Sequence, residues 1–258
     1  MKLSERLQYI ADEIKCGETM ADIGTDHGFL PLYLLEKKKC PKVIMADISS
    51  GSLKKAEINC KLVKPKGDYE LRLGNGIDVL ADGEVDTVVI AGMGGLLIAD
   101  ILEWNLKKSR SVKRYILQPR NNVGRLRHWL FLNGFSIVKE GIVREGKFLC
   151  EILTVESCGA AGENNGPVQS SDGVQRTQTE PGGNGFSNYG AEFDYPEALL
   201  TFGGPLTLEY LQRHLETEQR ILENIEAKAK ESKERGGLTR QRIERLSDLI
   251  CRWEKIYG

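Results

Sequence analysis

Along the first 156 residues the apolar positions switch between two spacings. Leu3, Leu7, Ile10 and Ile14 recur at three or four residues, which predicts an opening amphipathic helix. The short apolar run Met20–Gly24 then predicts a strand, and "LPLYLLEKK" beyond the next turn predicts a helix. The same reading gives strands at Val43–Ile48, Tyr69–Leu73, Thr87–Ala91, Tyr115–Gln118, Ser136–Val143 and Phe148–Val155. Helices are predicted between them at Ser52–Leu62, Gly95–Lys107 and Val123–Asn133. Parallel neighbours need helical crossovers, so the alternation predicts an α/β fold with a doubly wound sheet. The last two strands lack a helix between them and should form an antiparallel hairpin around "REGK".

The pattern stops at residue 157. Residues 157–194 are rich in Gly, Ser, Asn and Gln and nearly lack aliphatic side chains, so they read as a flexible insertion between a domain at 1–156 and a tail at 195–258. In the tail Leu208, Leu211, Leu215, Leu222 and Ile225 keep a heptad-like spacing with Glu218 as the exception, and Ile243, Leu246, Ile250, Trp253 and Tyr257 resume it. Gly236-Gly237 is expected to stop the first run and Thr239 to cap the second, giving a two-helix, coiled-coil-like hairpin. Basic residues flank its turn: Lys228, Lys230, Lys233, Arg235, Arg240 and Arg242.

Composition narrows the class. With 258 residues and 40% hydrophobic content the chain can bury a substantial core. No run reaches the roughly 18 apolar residues of a membrane span, and the charged opening is unlike a signal peptide; both predict a cytoplasmic location. The six cysteines form no CxxC pair and the three histidines no ligand set, so no metal is expected. The net charge of −1 conceals a local excess: Lys107, Lys108, Arg110, Lys113, Arg114, Arg120, Arg125 and Arg127 occur without an intervening acid. That run is either a solvated rim or a phosphate-binding edge.

The candidate chemistry begins in "DIGTDHG", Asp22–Gly28. A turn between the first strand and helix of such a sheet receives a ligand at the helix N-terminus. Asp26 stands where a dinucleotide fingerprint needs its second glycine, and no Gly-Lys-Ser/Thr follows for a P-loop. An acidic turn suits a cationic ligand, and S-adenosylmethionine carries a sulfonium and an ammonium. Asp47 ends the second strand, where a carboxylate can accept from both ribose hydroxyls, and "GNG" at 74–76 can approach the adenine. These three strand ends, taken in order, point to a class I methyltransferase-like nucleotide site. After the fourth strand stands "AGMGG", Ala91–Gly95, where amino-methylating enzymes of this fold often carry D/N-P-P-Y/F. Without those acceptors the loop suits a ring nitrogen with a localised lone pair, such as adenine N1.

The motifs "LSERL", "DIGTDHGFLPLYL", "AGMGG" and "LQPR" resemble the bacterial tRNA (adenine-22-N1)-methyltransferases over residues 1–156 and 195–258. The resemblance implies a Rossmann-like methyltransferase sheet with a helical C-terminal extension, S-adenosylmethionine as cofactor and tRNA as partner. It departs in the long insertion at 157–194 and in Arg120, where many members carry Asn. The expected cofactor contacts are Asp22, Gly24, Thr25, His27, Gly28, Asp47, Ile48, Asn75, Gly76, Ala91, Gly92, Met93 and Gly94. For the transfer itself Asp26 is the candidate for charge stabilisation or for receiving the N6 proton, and Gln118 and Asn121 for reading the base edge. Arg6, Arg120, Lys107, Lys108, Arg110, Arg125 and Arg127 are the candidates for holding tRNA. A small-molecule methyltransferase, or a non-catalytic RNA-binding protein with a decayed cofactor site, are the rival readings.

Overall fold

The computed structural model describes residues 1–157, 189–202, 204–227 and 233–258. Its centre is a seven-stranded sheet in the order β3-β2-β1-β4-β5-β7-β6. The strands are β1 (Met20–Ile23), β2 (Lys42–Asp47), β3 (Asp68–Leu73), β4 (Thr87–Met93), β5 (Arg114–Pro119), β6 (Phe135–Glu145) and β7 (Phe148–Ser157). The first five are parallel, and β7 runs antiparallel to both β5 and β6. The order reverses between β1 and β4, which opens a crevice at their carboxyl ends.

Helices α1 (Glu5–Glu13), α2 (Phe29–Glu36), α3 (Ser50–Val63), α4 (Gly95–Glu103), α5 (Leu106–Ser111) and α6 (Val123–Leu132) accompany the sheet. They bury its two faces in separate cores, one around Ile10, Leu34 and Ile116, the other around Ile90, Ile98 and Tyr115. Ser4 caps α1 and Ser49 caps α3, each accepting from a first-turn N–H. The helix expected at Gly95–Lys107 is two: the chain breaks at Trp104, and Asn105 caps α5 by accepting from Lys108 N.

The tail contains α7 (Ala191–Asp194), α8 (Ala198–Phe202), α9 (Thr207–Ala227) and α10 (Lys233–Tyr257). Two expectations for it need correction. Gly236-Gly237 lies inside α10, and Thr239 is a buried interior residue, not a cap. Each glycine costs a helix about 1 kcal/mol, yet α10 runs through both, and a β-carbon at Gly236 would meet Ile225 of α9 only at ordinary contact distance. The second correction concerns the seam. Its fully buried part is the base, where Tyr210, Leu211, Leu246 and Leu249 pack with Leu199, Leu200 and Ile142 of β6. The hairpin and the sheet therefore share a core.

Most of the expected insertion, 158–188, lies outside the described residues, as do Lys228 and Lys230 and the side chains of Lys233 and Arg235. Residues 189–194 are ordered against the body of the protein, because Phe193 packs on His128 and Phe131 and because Arg127 donates to the carbonyls of Phe193 and Asp194. Among the described residues no helix is long and apolar enough to cross a membrane, and no group of His, Cys, Asp or Glu could hold a metal ion.

Candidate active site

The crevice at the switch point is a cavity of about 510 Å³. Its wall is made by the loops after β1, β2, β3 and β4, with Arg6 and Leu7 of α1 over one side. Asp22, Gly24, Thr25, His27, Gly28, Asp47, Ile48, Asn75, Gly76, Ala91, Gly92 and Met93 all line it. Gly94 does not; its role is to start α4. Phe29, Leu97 and Ile101 also line the wall and carry no sequence signal beyond being apolar.

The turn after β1 is held open by backbone conformation. Gly24 has φ +83°, a region costly for any residue with a β-carbon, and a β-carbon there would collide with the Met93 methyl group. The amides of Gly24 and Thr25 both donate to Ala46 O, at 2.8 and 3.0 Å, so the turn is pinned to the end of β2. Thr25 is buried, with its hydroxyl beside the Asp22 carboxyl. Burial pushes the Asp22 carboxyl up to about 6, helped by the charge of Asp47 and opposed by Thr25 and Arg6. A recessed carboxylate in that state gains from a cation placed beside it. Asp47 Oδ1 accepts from Ser49 N at 2.7 Å, which fixes its carboxylate at the cavity wall.

The loop after β4 contains a bulge. The register of β4 against β5 shifts between Ala91 and Met93, and the Gly92 N–H leaves the ladder to donate to Gln118 Oε1 at 3.0 Å. Gln118 Oε1 also accepts from Arg6 Nη1 at 3.1 Å, and its Nε2 donates to Pro119 O at 2.9 Å. The buried Gln118 amide is thus committed to the protein on both sides, and it positions the loop instead of presenting a free edge to a base. Arg6 in turn donates to Glu145 Oε2 at 2.7 Å, so its guanidinium is a tether between α1, β5 and β6. Gly95 completes the loop: a β-carbon there would press on the carbonyls of Asn121 and Asn122, which the helix start approaches closely.

Asp26 is exposed at the rim, bonded to Lys55 Nζ at 2.7 Å and to His27 Nε2 at 3.1 Å. The Lys55 hydrogen bond, with His27 adding to it, holds its carboxyl below the ordinary range. The His27 ring stacks on Phe29 at 5.0 Å. Arg120 is exposed and lines the cavity beside Gly92. Asn121 accepts from Asn122 Nδ2 at 3.0 Å and lies outside this cavity, in a neighbouring one.

The basic run does not form one edge. Strand β5 lies within it, and six residues of strand span roughly 20 Å, so Arg114 and Arg120 sit at opposite ends of the sheet. Lys113 pairs with Asp86, and Arg114 with Glu18 and Glu156. Arg110 donates to Asn133 O and Lys108 to Asp78 O. Lys107 is exposed, but on α5, which precedes β5. Arg125 hydrogen-bonds Tyr189. Arg127 is 3% exposed and bridges Glu140 and Glu151, themselves buried. Burial alone would weaken its hold on the proton, but the two carboxylates reverse this and raise it. Arg127 is a structural cation, not a contact for RNA.

Comparison with known proteins agrees with this geometry. Residues 3–153 match the family described as "Methyltransferase domain". The chain is 37% identical over 157 residues to the tRNA (adenine(22)-N(1))-methyltransferase of Bacillus subtilis, an alignment covering 61% of this chain and 66% of that protein. The match thus spans just under two thirds of that relative's length. A putative tRNA (m1A22) methyltransferase of Streptococcus pneumoniae superposes with a TM-score of 0.77 at 28% identity, over 96% of this chain and 100% of that one. The same protein in complex with S-adenosyl-L-methionine gives 0.73 at 27% identity, over 96% and 100%. A match over more than half of the sequence, on a sheet whose switch point carries an acid-lined turn, means that the chain belongs to the methyltransferase-domain family.

Proposed function

We propose that this chain transfers the methyl group of S-adenosylmethionine to N1 of adenine 22 in tRNA. The observation that carries the reading is the pair of carboxylates in the switch-point cavity, Asp22 recessed and pushed up to about 6, Asp47 at the end of β2. Such a site favours a cation over a pyrophosphate, and the relative similar in sequence and the one similar in fold are both described as acting on that position of tRNA. When bound, S-adenosylmethionine supplies an electrophilic methyl group.

The residues around it have distinct tasks. Asp22 would hold the positive charge of the methionine end, and Asp47 would accept from the ribose hydroxyls. Asn75, Gly76, Leu97 and Ile101 line the same cavity and would flank the adenine ring. The bulge at Gly92, locked by Gln118, sets the backbone against which the target base lies. N1 would attack with its own lone pair as the methyl–sulfur bond breaks and its electron pair stays on sulfur, so the protein's share of catalysis is mostly alignment and charge. Asp26 contributes negative charge at the rim as the ring becomes positive. Its low proton affinity and its bonds to Lys55 and His27 make it a poor acceptor for the N6 proton. Arg120 and Asn121 are the candidates for contacts to the nucleotide, and action on tRNA would place the protein in the cytoplasm.

Tritiated methyl transfer to unmodified bulk tRNA, followed by nucleoside analysis, tests the reading. Label should appear in 1-methyladenosine and vanish when position 22 of the transcript is changed. Label confined to small metabolites, or no label, would replace this reading by one of its rivals.

A further inference from the structure

A second cavity, of about 690 Å³, adjoins the first, and Arg6 and Arg120 line both. It lies where the loop after β5 and the turn of the β6–β7 hairpin face α9 and α10. Four carboxylates (Glu145, Glu151, Asp194, Glu218) stand against three arginines (Arg6, Arg120, Arg242) in its wall, a balance that does not suit a phosphate. The exposed Phe148 and the half-buried Tyr189 supply flat apolar surface, whereas Tyr195 and Tyr210 are buried in the hairpin core.

Most polar groups in this wall satisfy one another. Arg242 Nε donates to Asp194 Oδ2 at 2.7 Å, and Tyr189 OH to Asp194 Oδ1 at 3.2 Å. Tyr195 OH lies 3.1 Å from His214 Nδ1 and 3.4 Å from Glu218 Oε1. Glu218 is satisfied on one oxygen only: its Oε1 takes the Tyr195 contact and lies 3.6 Å from Arg242 Nη1. It interrupts the apolar seam of α9, is 7% exposed, and its Oε2 has no hydrogen-bond partner. An unpaired buried carboxylate oxygen is destabilising, and burial pushes the Glu218 carboxyl upward.

We propose that this cavity takes a nucleobase of the tRNA flanking the methylated one, with the base's exocyclic amine donating a hydrogen bond to Glu218 Oε2. The inference rests on tRNA being the substrate. Adenine, guanine and cytosine carry such an amine, whereas the exocyclic atoms of uracil only accept. The base would stack on the Phe148 and Tyr189 rings, as splayed bases in single-stranded RNA do. Reaching N1 requires the target to leave its pairing, and a pocket for its neighbour holds the strand open at that point.

The test compares the full-length wild type with Glu218→Leu and Glu218→Gln in thermal melting, in S-adenosylhomocysteine affinity by calorimetry and in affinity for unmodified tRNA by filter binding. For Glu218→Leu we expect cofactor-product affinity within about twofold and tRNA affinity reduced at least about tenfold, the effect of losing a hydrogen bond to a charged group. Glu218→Gln, which keeps one acceptor oxygen, should fall between. Transcripts with an amine-free analogue (purine riboside, inosine or zebularine) at single amine-bearing positions beside the target then locate the base. At one of them the wild type should lose about tenfold and Glu218→Leu nothing further, the non-additivity of two groups in contact. Wild-type tRNA affinity in a folded Glu218→Leu, the same analogue penalty in both proteins, or a lowered Tm with equal losses of both ligands would overturn the proposal. A wild type that binds tRNA without methylating it would overturn the proposed function, while the affinity comparison would still decide this one.

Discussion

The two adjoining cavities differ in how they are built. The first is made by four loops at successive strand ends, and parallel topology alone brings them together. The second draws on residue 6, on 118–124, on 145–151 and on side chains from 189 to 242, and it exists only because the hairpin docks on β6 and β7. A site built by topology can be read from the order of motifs. A site built by docking depends on which buried contacts hold the docked parts, here the apolar base on Ile142 and the carbonyls of Phe193 and Asp194 that the Arg127 ion cluster holds.

That contrast can be broken from either side. The largest effect should come from Arg127→Ala, which leaves Glu140 and Glu151 buried without a cation and removes the donor to the carbonyls of Phe193 and Asp194. Urea denaturation should show a loss of about 3–5 kcal/mol. A loss under about 1 kcal/mol would mean the hairpin is held by its apolar base alone.

Asp22→Asn should act on the first cavity in two opposite ways. Cofactor affinity should fall by about 3 kcal/mol, the upper range for a hydrogen bond to a charged group. Stability of the ligand-free protein at pH 7 should rise by roughly 1–3 kcal/mol, because Asp22 near 6 lies above its ordinary 3.8 and the folded state holds that proton more tightly than the unfolded chain. The destabilisation is therefore full above pH 6, shrinks between 6 and 3.8, and is gone below. By the same titration, wild-type affinity for S-adenosylmethionine should weaken up to tenfold per unit as pH falls below about 6. Calorimetry across pH 5–8 checks both, and a pH-independent affinity would remove Asp22 from the cation's contacts.

Asp47→Ala should cost about 2 kcal/mol of cofactor affinity by losing the ribose contacts, with little change in tRNA binding. The smallest effect belongs to the far end of the basic run. The double substitution Lys107→Ala with Arg110→Ala should change tRNA affinity less than about twofold and leave its salt dependence intact. A slope shallower by one or two units would restore that edge as an RNA contact.

The sheet was legible because each strand and crossover helix keeps its own period, and because the hairpin at "REGK" has no room for a helix. The acidic turn was legible because Asp22, Gly24 and Asp47 act through local backbone geometry. Charge was a poor guide: β5 carries the two ends of the basic run to opposite ends of the sheet, and Arg127 is paired by acids that follow 13 and 24 residues later. The paired glycines misled for a related reason. Gly236-Gly237 reads as a helix stop from propensity, but α10 runs through the pair and is held by its packing further along, where Leu246 and Leu249 meet Tyr210 and Leu211. Gln118 looked like a base reader, and only the bulge at Gly92 reveals what its amide holds.

The core shared by Ile142, Leu199, Tyr210 and Leu246 bears on how such a protein can be recombined. A hairpin grafted from a relative after residue 194 would arrive without the surface it evolved against, and a catalytic half ending near Glu156 would leave Ile142 and the acids around Arg127 without their cover. Exchange between family members should succeed only when α6, β6 and β7 travel with the C-terminal helices. The heritable unit of RNA choice would then begin near Val123, well inside what the sequence divides off as the catalytic domain.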